Sequence, residues 1–437
     1  MLATSLRNQH RMRALIGIPA AALAVTTALG ACSSSSGTGA SGSTGSTGNS
    51  GGKDATQFAA SPLNVTDSQR TAVMKKAFLT DAVSTSSLDP TIVQGLEQAG
   101  RDYTADQVKT AAACMSQQTC KIGNGSQTIA ILDGAGADLW RHITRTAITL
   151  NATAYPNIGT VIYLQADGNL QTMQADLQTL IARRVTGIVT YDDFGPAMTA
   201  AYQHATTQGI PVVAYGGTPG KDATKAVVSQ VASDFCEDGN QMAQTTAKMI
   251  NNTGNVAFFT GTPGNPQGAG WQACAESWFK KNAPGIQVVN KSNTSWTEGG
   301  AVSATTALIS TGKKVDAVLY DYAKQTVNIV QTYKQAKAKV PAQVTWTSDN
   351  SLLKMWEQDQ GTSSAWKLAY SSSINFEGPV ALAALMNHLQ GKPVPAILTF
   401  PLPFVAAKKG DYIASQPANA PGPTLMPDDL LNQVLGA

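Results

Sequence analysis

The sequence predicts an α/β protein with two Rossmann-like lobes of parallel sheet and a helical N-terminal extension. Three observations lead there. From Gln127 onward, short apolar, β-branched runs recur without alternation, as strands buried on both faces do. Amphipathic stretches separate these runs, and such strand–helix alternation gives a parallel sheet with helices on both faces. The rhythm restarts at "NVAFFTG", and about 280 residues are more than one hydrophobic core usually organises.

Taken in order, residues 1–31 carry Arg7, Arg11 and Arg13 ahead of an apolar stretch from Ala14 to Ala31, the layout of a secretory signal peptide. Leu29-Gly30-Ala31-Cys32 resembles the bacterial lipobox, in which cleavage leaves a lipid on the cysteine, here Cys32. Residues 33–52 contain only Ser, Gly, Thr, Ala and Asn. They have no side chains with which to build a core and read as a flexible tether spanning roughly 25 Å. Without the leader's three arginines the net charge of +3 falls to zero, so nucleic-acid binding by bulk charge loses its support. The remaining cysteines, Cys114, Cys120, Cys236 and Cys274, are even in number, which in an exported protein suggests two disulfides. Cys114–Cys120 is the natural short loop and would leave Cys236–Cys274, although three pairings are open.

Residues 53–125 read as a mainly helical extension. "DSQRTAVMKKAFLTDAV" has a cap candidate at Asp67 or Ser68, and "TADQVKTAAACMSQQTC" has one at Thr104. The strands of the first lobe are "TIAIL", "GTVIYL", "VTGIVTY" and "IPVVAY", with helices expected over 137–153, 169–183 and 196–208. Those of the second are "NVAFFTG", "IQVVNKS", "VDAVLYD" and "QVTWTSD".

Over residues 126–405 the order and spacing of several segments resemble the type I periplasmic binding proteins, the sugar-binding kind that serves ABC importers. The carriers are "GNLQTMQADLQTLIARRVTGIVTY", "TTQGIPVVAY", "VASDFCEDGNQMA", "NVAFFTGTPGNPQ", "VDAVLYD", "TSDN" and "FEGPVALAALMNHLQGKPVP". The resemblance implies three crossovers forming a hinge, near 227–235, 370–375 and 396–403. It implies a first lobe of 126–232 plus 373–395 and a second of 233–372 plus 396–437.

Ligands of open parallel sheets bind beyond the carboxyl ends of the strands. Sugars call for planar hydrogen-bonding groups and aromatic faces there. The candidates are Asp133, Asp138 and Trp140 in "DGAGADLW", Asp193 in "TYDDF", and Trp271, Asp321, Asp349 and Ser372. One of Asp192 and Asp193 is expected to face the cleft and the other solvent. Trp296 aligns with a further aromatic. Each acid has a plainer alternative as a helix N-cap. The sequence also departs from the family. Gly216 stands where relatives often carry an Asp, and Trp271 where they carry an Arg, which exchanges a forked donor for a stacking surface.

Catalytic signatures are wanting. Gly48–Gly52 matches G-x-S-x-G only within the tether, "GAGADL" is a partial dinucleotide fingerprint, and His142, His204 and His388 stand isolated. The expectation is a lipid-anchored, non-enzymatic solute receptor at the extracytoplasmic face of the cell membrane. It would need no cofactor, metal or nucleic acid, close on a small polar ligand, a sugar first, and deliver it to an ABC permease. The alternatives are a sensory receptor of the same fold signalling to a membrane partner, and a secreted lipoprotein hydrolase.

Overall fold

Residues 58–136 and 138–436 are described by the computed structural model. The signal peptide, the lipidation of Cys32 and the tether lie outside them.

The extension opens with three capped helices: α1 (Asp67–Phe78), α2 (Pro90–Ala99) and α3 (Ala105–Cys114). Thr104 caps α3 as expected, but α1 is capped by Thr66, because Thr66 and Gln69 satisfy each other's backbone N–H in a capping box. Asp89 caps α2, with Pro90 preset at its first turn. The extension is not wholly helical. Strand β1 (Thr119–Lys121) adds an antiparallel edge to the first sheet, and the Cys114–Cys120 disulfide ties it to α3.

In the first sheet β1 is followed by β3 (Ile158–Gln165), β2 (Gln127–Asp133), β4 (Gly187–Tyr191), β5 (Val212–Tyr215), β6 (Ser229–Ser233) and β12 (Ile397–Phe400), all six parallel. One face packs on α5 (Leu170–Ala182) and α6 (Thr199–Thr207). The other carries α4 (Leu139–Ala152) and α12 (Glu377–Leu389), and α2 in turn lies on α12.

The second sheet runs β13 (Val405–Ala406), β11 (Leu368–Tyr370), β10 (Ala342–Thr345), β9 (Ala317–Tyr320), β7 (Thr253–Thr260) and β8 (Gly285–Asn293), parallel except for β13. Its helices are α7 (Phe235–Met249), α8 (Pro266–Asn282), α9 (Glu298–Ser310), α10 (Ala323–Gln335) and α11 (Asn350–Asp359). A second disulfide, Cys236–Cys274, joins α7 to α8.

Among the described residues the chain crosses between the sheets at Ser233–Phe235, Tyr370–Glu377 and Phe400–Val405, and then once more. Residues 413–422 lie on the second lobe. The Asn350 side chain donates to the Ile413 carbonyl at 3.0 Å, its backbone N–H to Ala420 at 2.7 Å, and Gly422 N–H to Ser348 at 2.9 Å. Helix α13 (Asp428–Gly436) then returns to the first lobe. There Leu430, Leu431 and Val434 bury themselves among Val108 and Ala111 of α3 and Ile143 and Leu150 of α4. The sequence reading placed 396–437 wholly in the second lobe, and the structure differs at both ends of that span. Leu398 and Phe400 are buried in a strand that pairs with β6, and the apolar stripe of α13 closes a seam of the first lobe.

Candidate functional site

The parallel strands of both sheets end at one cleft. β4 ends at Tyr191 and β6 at Ser233, with Gly216 following β5; from the second lobe come Asp321 after β9 and Trp346 and Thr347 after β10. Helices α4 and α12 contribute Asp138, Trp140, Arg141 and Glu377 at their N-terminal ends. The space between atoms amounts to ≈ 570 Å³, of which ≈ 60 Å³ is wide enough for the centre of a water-sized sphere.

On the first-lobe side a single cation holds a group of acids. Arg141 is 4% exposed; its Nη1 donates to Asp133 at 2.8 Å and its Nη2 to Asp193 at 2.9 Å, while Nε lies 3.8 Å from Asp138. The guanidinium carbon sits 3.3 Å from the centre of the Tyr191 ring. Burial pushes the Asp133 carboxyl up to about 6, with Arg141 opposing the rise. Burial lifts Asp193 too, against the same guanidinium. Asp133 further accepts from the N–H groups of Ala135 and Gly136.

On the second-lobe side Asp321 has no cation. It accepts from the Trp271 indole at 2.9 Å, the Trp296 indole at 2.8 Å and the Thr260 hydroxyl. Burial raises its carboxyl to about 6, and the three donors hold it back. Trp296 reaches this position because its ring lies against Gly261, where a Cβ would come within 2.0 Å of it. Trp296, Thr347 and Ile374, all lining the cleft, adopt the left-handed backbone at φ 53°, 59° and 50°. Such conformations in bulky or β-branched residues are sustained only where surrounding packing enforces them, and they gather at binding sites.

Six aromatic side chains line the space: Trp140, Tyr191, Phe235, Trp296, Tyr322 and Trp346. Beside them, at the head of α12, stands Glu377, 1% exposed, with no hydrogen-bond partner at Oε2 among the described residues. Burial first, and Asp238 second, hold its carboxyl well above the usual range, with Arg141 pulling the other way. A Cβ on Gly216 would stand 2.2 Å from the Tyr191 ring and 3.0 Å from Glu377 Oε2. The residue there is glycine because those two groups occupy its side-chain space, and its φ of 61° favours glycine as well.

Of the residues expected at the site, Asp138, Trp140 and Asp321 line the cleft, as does Trp296. Asp133 and Asp193 stand behind Arg141 instead. The expectation that one of Asp192 and Asp193 faces solvent is corrected: Asp192 is buried and accepts from the N–H groups of Phe194 and Gly195. Trp271 is fully buried against Phe258, on the far side of Asp321 from the space. Asp349 caps α11 through the N–H groups of Ser351 and Leu352 and borders an adjoining hollow that shares Trp140, Tyr322 and Thr347 with the cleft. Ser372 is buried off the cleft. Sequence reasoning missed Arg141, Gln267, Trp346, Thr347, Ile374 and Glu377. A lone acid heading an otherwise apolar helix, "FEGPVALAALM", was the available signal for Glu377.

This arrangement, two parallel α/β lobes with a polar and aromatic cleft at the facing strand ends, defines a two-lobed solute-binding protein. A family profile described as a periplasmic binding protein domain matches residues 129–393, and the chain belongs to that family, with the type I architecture. No curated protein matches the sequence significantly. Among solved structures, the periplasmic component of an arabinose ABC transporter from Shewanella sp. ANA-3, bound to L-arabinofuranose, is similar at TM-score 0.58 and 17% identity, over 64% of this chain and 92% of that one. An ABC transporter solute-binding protein from Bacillus halodurans C-125 with bound myo-inositol has TM-score 0.57 and 15% identity, over 65% and 95%. The fructose-binding periplasmic domain of a hybrid two-component system has TM-score 0.57 and 19% identity, over 64% and 90%.

Proposed function

We propose that this chain captures a small polar solute, with a sugar the first expectation, by closing its lobes over the cleft, and delivers it to an ABC permease. The observation that carries the proposal is the cleft itself, where carboxyl groups and aromatic faces from both lobes meet at the strand ends. The sugars and the cyclitol named with the similar structures support the same class of ligand. Family membership favours binding over catalysis and an extracytoplasmic location. No helix among the described residues is long and apolar enough to cross a membrane, and attachment through lipid on Cys32 is the reading of the leader. Lobe closure belongs to the hinge class of domain motion and requires ligand contacts made only in the closed state.

A thermal-shift screen over monosaccharides, polyols, nucleosides and amino acids tests the proposal. A ligand at a hundredfold excess over Kd stabilises by about 2.7 kcal/mol. A response confined to one chemical class supports it; silence across the panel overturns it. A sensory receptor is the second reading, favoured by the likeness to the two-component domain. Loss of solute uptake on deleting the gene supports delivery, whereas intact uptake with a lost transcriptional response supports sensing.

A further inference from the structure

We infer that the ligand this cleft selects carries a positively charged nitrogen: a small organic ammonium, of which an amino sugar is the form nearest to sugar capture. The inference rests on solute capture by this cleft and narrows its chemistry.

It follows from what the lining has left to offer. A neutral sugar presents hydroxyls that both donate and accept, so its site needs free donors as well as acceptors. Here the indole and guanidinium donors are already engaged, which leaves the Gln267 amide and the Tyr322 and Thr347 hydroxyls. The Trp140 indole donates to the Ser373 carbonyl at 2.6 Å, that of Trp296 to Asp321 at 2.8 Å and that of Trp346 to Met242 Sδ at 2.9 Å. The indole N–H groups are therefore held by the protein, leaving the ring faces as their contribution to the space. Ser233 donates to Asp238. Arg141 bonds Asp133 and Asp193 and has Asp138 beside it, so one positive charge meets three carboxyl groups.

Against those three remaining donors stand three carboxyl groups that line the space, Asp138, Asp321 and Glu377. Glu377 is nearly inaccessible to solvent, and no protein donor reaches its Oε2. Asp321 Oδ1 has one donor, the Trp296 indole, and Asp138 is partly exposed. A buried carboxyl that lacks a partner is costly and is expected to be completed by something. An ammonium is donor-only and cationic, and aromatic faces attract it through their quadrupoles. It supplies what Glu377 lacks and what six aromatic rings favour. Gly216 makes room for Glu377, so α12 brings its acid to the space.

The test uses matched probes in isothermal titration: D-glucosamine against D-glucose, and choline against 3,3-dimethylbutan-1-ol. At least one ammonium compound should bind, with its neutral partner weaker by about tenfold or more. Glu377→Gln keeps the shape but cannot become an anion; it should weaken the ammonium probe by about tenfold, while circular dichroism and thermal midpoint report an intact fold. A neutral partner that binds as tightly as its ammonium counterpart, or unchanged affinity in Glu377→Gln, overturns the inference and leaves solute capture standing. Silence of both ammonium probes also overturns it, and only silence across the wider panel removes solute capture as well.

Discussion

The two walls of the cleft place their carboxyl groups by different means. On the first lobe, Asp133 and Asp193 are both held by the buried guanidinium of Arg141, a resident cation that offsets part of their charge. On the second, Asp321 is aimed by two indoles and a hydroxyl, neutral donors that orient it without cancelling its charge. On the proposed reading of the cleft, the difference separates scaffolding from recognition. An acid paired with an internal cation stabilises the wall, whereas an acid held by neutral groups keeps attraction in reserve for a ligand.

The most direct way to break this contrast is Arg141→Met. It leaves Asp133 and Asp193 buried without their cation and should cost about 3–5 kcal/mol in urea denaturation. Asp321→Asn, which strands no charge, should leave neutral-pH stability near wild type while lowering ligand affinity. If both variants lose the same stability, the distinction between the walls fails.

The disulfides extend the comparison. Cys236–Cys274 closes a loop with a sequence separation of 38 in the second lobe, and Cys114–Cys120 one of 6 beside the first. Replacing the former pair by serine should cost about 3–4 kcal/mol and the latter about 2, on loop-closure entropy. Equal losses by differential denaturation would argue that loop length is not what decides the effect.

A pH titration sharpens the picture at smaller amplitude. Asp321 has its folded-state carboxyl raised to about 6 by burial, so its contribution to stability is present below the ordinary carboxylate range and lost as pH rises through about 6. Between pH 4 and 7, wild type should weaken relative to Asp321→Asn by about 2–3 kcal/mol. A pH-independent difference would show that the acid does not titrate there. The smallest effect is expected at Asp349→Ala, which removes a helix cap. It should lower stability by about 1 kcal/mol and leave binding intact, since Asp349 is engaged by the helix N–H groups and does not line the cleft. Loss of binding would return Asp349 to the site.

These outcomes bear on what a sequence discloses. Seven of the eight principal strands were legible because strands covered on both faces carry apolar, β-branched residues with little else to confuse them, whereas β8 is an edge strand with exposed positions. Strand ends also located the cleft. Which acid points into it was not legible, because a residue after a strand can either cap the next helix or turn toward the ligand. Asp138 does both, while Asp349 caps its helix without lining the cleft. Trp271 and Trp296 illustrate the same limit: both indoles reach Asp321, yet one is core and the other lining. Glu377 and Arg141 were missed because their roles depend on neighbours far away in the chain: Asp193, Gly216 and Asp238.

The return of α13 to the first lobe has a consequence for how the protein is made. The second lobe's first five strands and its helices come from one nearly continuous stretch, 235–370, so it can assemble as that stretch emerges from the ribosome. The first lobe begins earlier but lacks α12, β12 and α13 until residues as late as 436 have been synthesised. The half that starts first is thus the half that finishes last. A nascent chain would carry an open, unsealed apolar face through most of its synthesis, in need of chaperoning until its final turn docks.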